Sequence, residues 1–422
     1  MESTQKNYSL PIAMMFALFF MIAFVTGLPS PMGVIVAKQF GASNFESQLG
    51  FLANFLAYAF MGIPAGIMLK KYGYKKTALS AIAVGFTGVL IQFFSGQVGS
   101  FTVYLTGAFI SGFSMCMLNT VVNPMLNTLG GGGNKGNQLI QFGGSINSIG
   151  ATITPMLVGW LMGAEAGRTI EKANPALFIA LGIFALAFVV LMFVSIPEPH
   201  LQTETERKVL HAHSPLSFRH FVLGAIAIFI YVGTEIGIPS TANLFMTASK
   251  TASNIGLGID ATTAGSIVGV YWLLMLVGRL AGGSIGSKVS SKTMLITVAS
   301  VGLLFILLAI FSPLSVTVTL PVLKTEVPIS IVFLVLCGLC TSIMWGGIFN
   351  LAVEGLGKYT AAASGIFMVM VCGGGIIPLF QGYVSDHFGY LSSYWVMFAC
   401  LGYMLFYGLI GSKNVNKDIP VE

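Results

Sequence analysis

The chain has 422 residues, 55% hydrophobic and 8% charged, with a mean hydropathy of +0.87 and a formal net charge of +6. Soluble globular domains carry roughly 25% charged residues, so this composition excludes that class. The positive balance needs no nucleic-acid partner, because membrane topology accounts for it.

Apolar runs of about 20 residues or more, each long enough to cross a bilayer, predict twelve membrane spans. They fall at 9–36, 49–69, 77–96, 101–126, 138–162, 175–196, 220–247, 263–286, 293–312, 327–353, 361–385 and 390–411. The first is too long for a signal-peptide core and has no small-residue cleavage site, so it is expected to stay in the mature chain. Span two carries Asn54 and Tyr58, one helical turn apart, and ends in the small residues and basic hairpin of Gly62–Leu79, GIPAGIMLKKYGYKKTAL. Span four places Asn119, Asn123 and Asn127 on one helical face. Span five repeats a polar stripe with Gln138, Gln141, Ser145 and Ser148, and Asn147 lies beside it.

The stretch 198–219 is the longest polar one and includes His200, His211 and His213, read as solvated linker residues. It separates an N-terminal six-helix bundle, 1–197, from a C-terminal one, 220–422. Span seven then carries Thr234, Glu235 and Asn243, and Glu235 is the only acid deep inside a span. Span eight carries Tyr271, Trp272 and Arg279, the only base well inside a span. Glu354, near the end of span ten, is the expected partner of Arg279 in a structural or gating ion pair. Trp345 and Asn350 in span ten and Gln381 in span eleven complete the polar and aromatic set.

The halves echo each other. Gly62, Ala65, Gly66, Lys76, Thr77 and Leu79 align without a gap on Gly278, Ala281, Gly282, Lys292, Thr293 and Leu295. GLPS at Gly27–Ser30 matches GIPS at Gly237–Ser240. Gly150, Pro155 and Gly159 match Gly373, Pro378 and Gly382, and Asn123, Leu129 and Gly130 match Asn350, Leu356 and Gly357. Such a repeat is the mark of a duplicated membrane transporter. With the N-terminus inside, 14 lysines and arginines fall in inside segments against 5 outside, so both termini are expected in the cytoplasm.

Neutral amides and aromatic faces suit a sugar. Asn and Gln offer paired donors and acceptors to hydroxyls, and indole or phenol rings pack on the apolar face of a pyranose. The candidate substrate contacts are therefore Asn54, Asn119, Asn123, Gln141, Asn147, Tyr231, Trp272, Trp345 and Asn350. The plainer alternative is that these amides only bond helix to helix. Cys116, Cys337, Cys340, Cys372 and Cys400 all fall within spans and read as small packing residues, with no disulfide, metal or cofactor indicated. An enzyme is not expected, since no nucleophile–base pair or metal cluster is placed at membrane depth.

The basic hairpin GIMLKKYGYKK, Gly66–Lys76, resembles the signature loop of the Major Facilitator Superfamily, which makes Lys70 and Lys71 candidate gating residues; Lys70 stands at the usual acidic position. NTVVNPMLNTLG (Asn119–Gly130), INSIGA (Ile146–Ala151), YVGTE (Tyr231–Glu235) and GGGIIP (Gly373–Pro378) together resemble the fucose–galactose–glucose:proton symporters, the fucose permease-like family. That resemblance implies an all-α membrane protein of twelve helices in two pseudo-symmetric six-helix bundles. It also implies import of a monosaccharide across a bacterial cytoplasmic membrane by alternating access; a monomer with no cofactor is expected, and coupling to a proton or sodium is expected without the resemblance carrying over which ion. Two acids that the family uses are replaced, by Ser30 and Asn119, so coupling is expected to depend chiefly on Glu235. The alternatives are a multidrug or small-metabolite transporter of the same fold, and an uncoupled sugar facilitator.

Overall fold

The computed structural model describes residues 8–421 apart from 30, 33–34, 36–38, 40, 130–132, 162–169, 199–212, 251–254, 286–288, 321–324, 357–358 and 417. Ser30 and most of the linker therefore lie outside the described residues.

Helices dominate because backbone polar groups in hydrocarbon must be satisfied within the segment itself. In chain order they are α1 (Ser9–Gly27), the short α2 (Asn44–Ser47), α3 (Leu49–Leu69), α4 (Lys71–Val98), α5 (Phe101–Leu129), α6 (Gly133–Leu161) and α7 (Asn174–Phe193). The second half holds α8 (Arg219–Thr247), α9 (Ala261–Ile285), α10 (Ser291–Phe311), α11 (Ile329–Thr341), α12 (Met344–Val353), α13 (Thr360–Met370), α14 (Gly373–Phe388) and α15 (Tyr390–Phe406). These make twelve membrane-length passes in two pseudo-symmetric six-helix bundles.

Eleven of the passes are long and apolar enough to qualify as spans on composition alone among the described residues. The remaining one is α6, the helix that carries the polar stripe of span five. Span ten is interrupted between α11 and α12, and span eleven between α13 and α14. An antiparallel pair of strands, β1 (Thr317–Leu320) and β2 (Thr325–Pro328), joins α10 to α11 and was not expected from the sequence. The end of the molecule bearing these strands is termed the hairpin end, and the opposite one the linker end.

At the linker end, α3 and α4 form one helical run that turns at Gly73, with φ 85° and ψ 176°. A side chain is disfavoured at that φ, so glycine fits the turn. Although Lys70 replaces the acid expected in this hairpin, a carboxylate still reaches it. Glu198, beyond α7, accepts from the backbone N–H groups of Tyr74 (2.5 Å) and Lys75 (3.0 Å).

Within each bundle the sequence echoes become equivalent contacts. A Cβ on Gly150 of α6 would meet Ala23 of α1, and one on its counterpart Gly373 of α14 would meet the backbone of Phe229 in α8. Between the bundles, α6 packs on α9, and α3 on α13 and α14. Small residues allow the backbones to approach closely at both seams. A Cβ on Gly375 would lie 2.6 Å from Leu52 Cα, and one on Gly269 would lie 2.8 Å from Met156. All five cysteines are free and buried.

Candidate functional site

α8 is buried along nearly its whole length, so its one acid is held away from water. A carboxylate in that setting needs a partner. The partner is Arg279 of α9, whose Nη2 lies 3.5 Å from Glu235 Oε1, with the two side chains only 13% and 15% exposed. The sequence pointed to Glu354 instead. That residue is exposed, and its carbonyl oxygen faces His220 Nε2 at 2.9 Å. Arg279 turns inward because its long side chain reaches Glu235 while its other nitrogens find acceptors of their own.

Those acceptors join the bundles. Arg279 Nη1 donates to the Gly144 carbonyl (2.7 Å) and to Ser148 Oγ (2.8 Å), both on α6, and Nε donates to the Ser342 carbonyl (3.4 Å). Ser342 occupies the interruption between α11 and α12. The planar guanidinium, with five donors in a fixed fork, is suited to tying several elements at once. Tyr231, one turn before Glu235 on α8, is fully buried, and its hydroxyl makes no hydrogen bond among the described residues. Trp345 lies against the Tyr231 ring, with centroids 6.3 Å apart. Tyr271 Oη donates to the Glu235 carbonyl oxygen (3.1 Å) and is 3.0 Å from Thr341 Oγ1, and Trp272 packs edge-on against Tyr271. Glu235, Arg279, Tyr231 and Trp345 thus form one cluster.

The amide stripe lies on the first bundle. Asn119 Nδ2 donates to Tyr58 Oη (3.0 Å) and to the Met115 carbonyl (3.1 Å), and Asn123 Nδ2 donates to the Asn119 carbonyl (2.9 Å). Asn147 Nδ2 donates to the Phe19 carbonyl of α1 (3.1 Å). All three asparagines are half-buried, so each combines an internal bond with a partly open face. Asn54 departs from expectation. It is 1% exposed and donates to the Ala108 carbonyl at 3.3 Å, so it joins α3 to α5 instead of facing a cavity. Asn350, the echo of Asn123, is exposed. Lys71 is also exposed and lies over the Tyr72 ring at 5.2 Å. The side chains of Lys70, Asn127, Gln138 and Gln141 lie outside the described residues.

Ser148 and Tyr271 stand out in the sequence only as polar positions within spans, and Gly144, Thr341 and Ser342 do not stand out at all. Gly144 and Ser342 take part through backbone carbonyls, which no residue pattern announces. Among the described residues, no group of three His, Cys, Asp or Glu side chains is placed to hold a metal ion.

Twelve membrane-length passes among the described residues, in two related bundles with an ion-paired cluster bonded across one seam, are the architecture of a membrane transporter of the two-bundle class. The chain belongs to the Major Facilitator Superfamily, which it matches over residues 14–379. It is 28% identical over 419 residues to the glucose/galactose transporter of Brucella abortus biovar 1 (strain 9-941), covering 98% of this chain and 96% of that one. It is 23% identical over 408 residues to the L-fucose-proton symporter of Escherichia coli (strain K12), covering 91% and 89%. The crystal structure of the Major Facilitator Superfamily transporter FucP in the outward conformation superposes with a TM-score of 0.70 at 21% identity, over 96% of this chain and 100% of that one.

Proposed function

We propose that this protein imports a hexose or deoxyhexose across a bacterial cytoplasmic membrane by alternating access, driven by a cation bound or released at Glu235. The observation that carries the reading is the Glu235–Arg279 pair, together with the bonds from Arg279 to the opposite bundle. A proton or sodium ion on Glu235 competes with the guanidinium for the same carboxylate. Occupancy of that carboxylate is thereby linked to a contact that must change when the bundles rock. The glucose/galactose and fucose relatives support a monosaccharide, and the half-buried amides of Asn119, Asn123 and Asn147 supply polar contacts of the right kind.

In this reading the bundles comprise 1–197 and 220–422, joined by a linker at 198–219. The protein works as a monomer, and the linker end and both termini face the cytoplasm, as the 14-to-5 distribution of basic residues supports. The same ion pair favours one second reading, an uncoupled facilitator in which Arg279 neutralises Glu235 permanently. Counterflow in proteoliposomes against a panel of glucose, galactose, fucose and non-sugar metabolites tests the substrate class. Exchange of at least one of the sugars is expected; exchange confined to the non-sugars would overturn it.

A further inference from the structure

Asp386, in the last turn of α14 at the hairpin end, lies outside the ion-paired cluster and the amide stripe. Its carboxylate crosses to the other bundle. Oδ1 accepts from the backbone N–H of Asn44 (2.9 Å) and Oδ2 from that of Phe45 (2.9 Å). Tyr390 Oη, one turn further along the chain, donates to Asn44 Oδ1 at 2.8 Å. One turn earlier, Gly382 lets the backbones meet: a Cβ there would lie 2.8 Å from the Asn44 carbonyl oxygen and 3.2 Å from Phe45 Cα. The receiving segment is itself fixed, because Ser43 and Glu46 bond reciprocally, Ser43 N–H to Glu46 Oε2 and Glu46 N–H to Ser43 Oγ. Both carboxylate oxygens thus find donors already in place.

The pseudo-equivalent junction on the other side of the molecule is built differently. Gly159, the echo of Gly382, meets Thr262, whose Oγ1 donates to the Gly159 carbonyl at 3.1 Å. That contact is neutral. Continuing the same register, the residue matching Asp386 is Gly163, which has no side chain to donate or accept. Between the two junctions, Gln48 Nε2 donates to Ser240 Oγ across the bundles at 3.4 Å. Bonds to a charged acceptor are stronger than neutral ones. Of these three links, the Asp386 link is the one whose loss most favours opening.

We infer that Asp386 is the outer latch of the transport cycle, a carboxylate that holds the bundles together at the hairpin end and must let go of the Asn44 and Phe45 amides each time that end opens. The inference rests on the alternating-access reading and on the hairpin end facing outward. It assigns to a single side chain the bias between the two access states.

The test places a cysteine at Ser240, which is 4% exposed beneath the closed seam, and measures its rate of modification by a membrane-impermeant thiol reagent. Right-side-out and inside-out vesicles are compared, with the protein lacking the Ser240→Cys change as background. Asp386→Ala removes both bonds and is expected to raise the rate from the outside by about tenfold or more, in line with the strength of charge-assisted bonds. Tyr390→Phe removes only the companion bond and should raise it by about threefold, which keeps the latch testable if Asp386→Ala does not fold. Unchanged rates in the variants that fold, from both faces, would overturn the latch. An increase confined to inside-out vesicles would support the latch and contradict the orientation proposed above.

Discussion

At the scale of single residues, the amide nitrogen of Asn119 is held by Tyr58 and by the turn beneath it. That fixes the side chain's rotamer and sets its half-exposed face in one orientation. Replacing Asn119 by Leu removes donor and acceptor together. A hydroxyl left without its partner costs about 1–3 kcal/mol, so sugar affinity should fall roughly 5- to 150-fold. Equilibrium binding or counterflow competition checks this, and unchanged affinity would return the stripe to helix packing. Arg279 and Glu235 make a second residue-scale prediction. Breaking one partner of a buried ion pair costs about 3–5 kcal/mol, and this pair's small exposure makes that an upper figure. Arg279→Gln alone should therefore destabilise more than Arg279→Gln combined with Glu235→Gln. Unfolding in detergent should give a coupling energy of about 1–3 kcal/mol; strictly additive effects would mean the pair is not a stabilising unit.

Among the elements, the seam between α3 and α14 depends on glycine at the point of closest approach. A side chain at Gly375 would run into the Leu52 backbone. Gly375→Leu should therefore hold these helices apart and abolish uptake, whereas Gly283→Leu, on α9 with nothing within 4 Å of its Cβ position, should transport normally. Equal uptake by both variants would remove the seam from the mechanism. The helices themselves were readable from the chain, because a bilayer demands long apolar segments and punishes exceptions. The glycine and proline echoes likewise marked helix pairs that the fold packs alike, Gly150 with α1 and Gly373 with α8. The interruptions near Ser342 and Cys372 were not readable. A helix break inside an apolar run leaves the hydropathy unchanged, and neither residue is a proline. The β1–β2 hairpin was hidden for a similar reason, since Thr317–Leu320 and Thr325–Pro328 are too short to show a period.

The same contrast holds for the candidate site. Glu235 and Arg279 stood out because charges inside spans are rare, yet their pairing was missed. Sequence gives depth along a helix but not its rotation, and a long arginine side chain blurs depth as well. Asn54 and Asn119 shared the same helical spacing logic, and only the packing of α3 on α5 separates the buried strut from the half-exposed amide.

At the scale of the whole molecule, two bundles enclose one buried, ion-paired carboxylate. The bundles meet along close, glycine-lined seams that permit rocking. The hairpin end is joined by Asp386 and Thr262, and the interior by Arg279, whose guanidinium touches α6 and Glu235 together. Coupling requires that the state of Glu235 decide whether the bundles can change places. The most direct measurement is sugar transport by Glu235→Gln in proteoliposomes, run both as exchange at equal concentrations and as accumulation driven by an imposed proton or sodium gradient. Glutamine keeps the size of the side chain but cannot carry the charge. The account predicts that the unaltered protein concentrates sugar under one of these gradients, and that the variant still exchanges sugar but no longer concentrates it. A variant that accumulates sugar as well as the unaltered protein would contradict it.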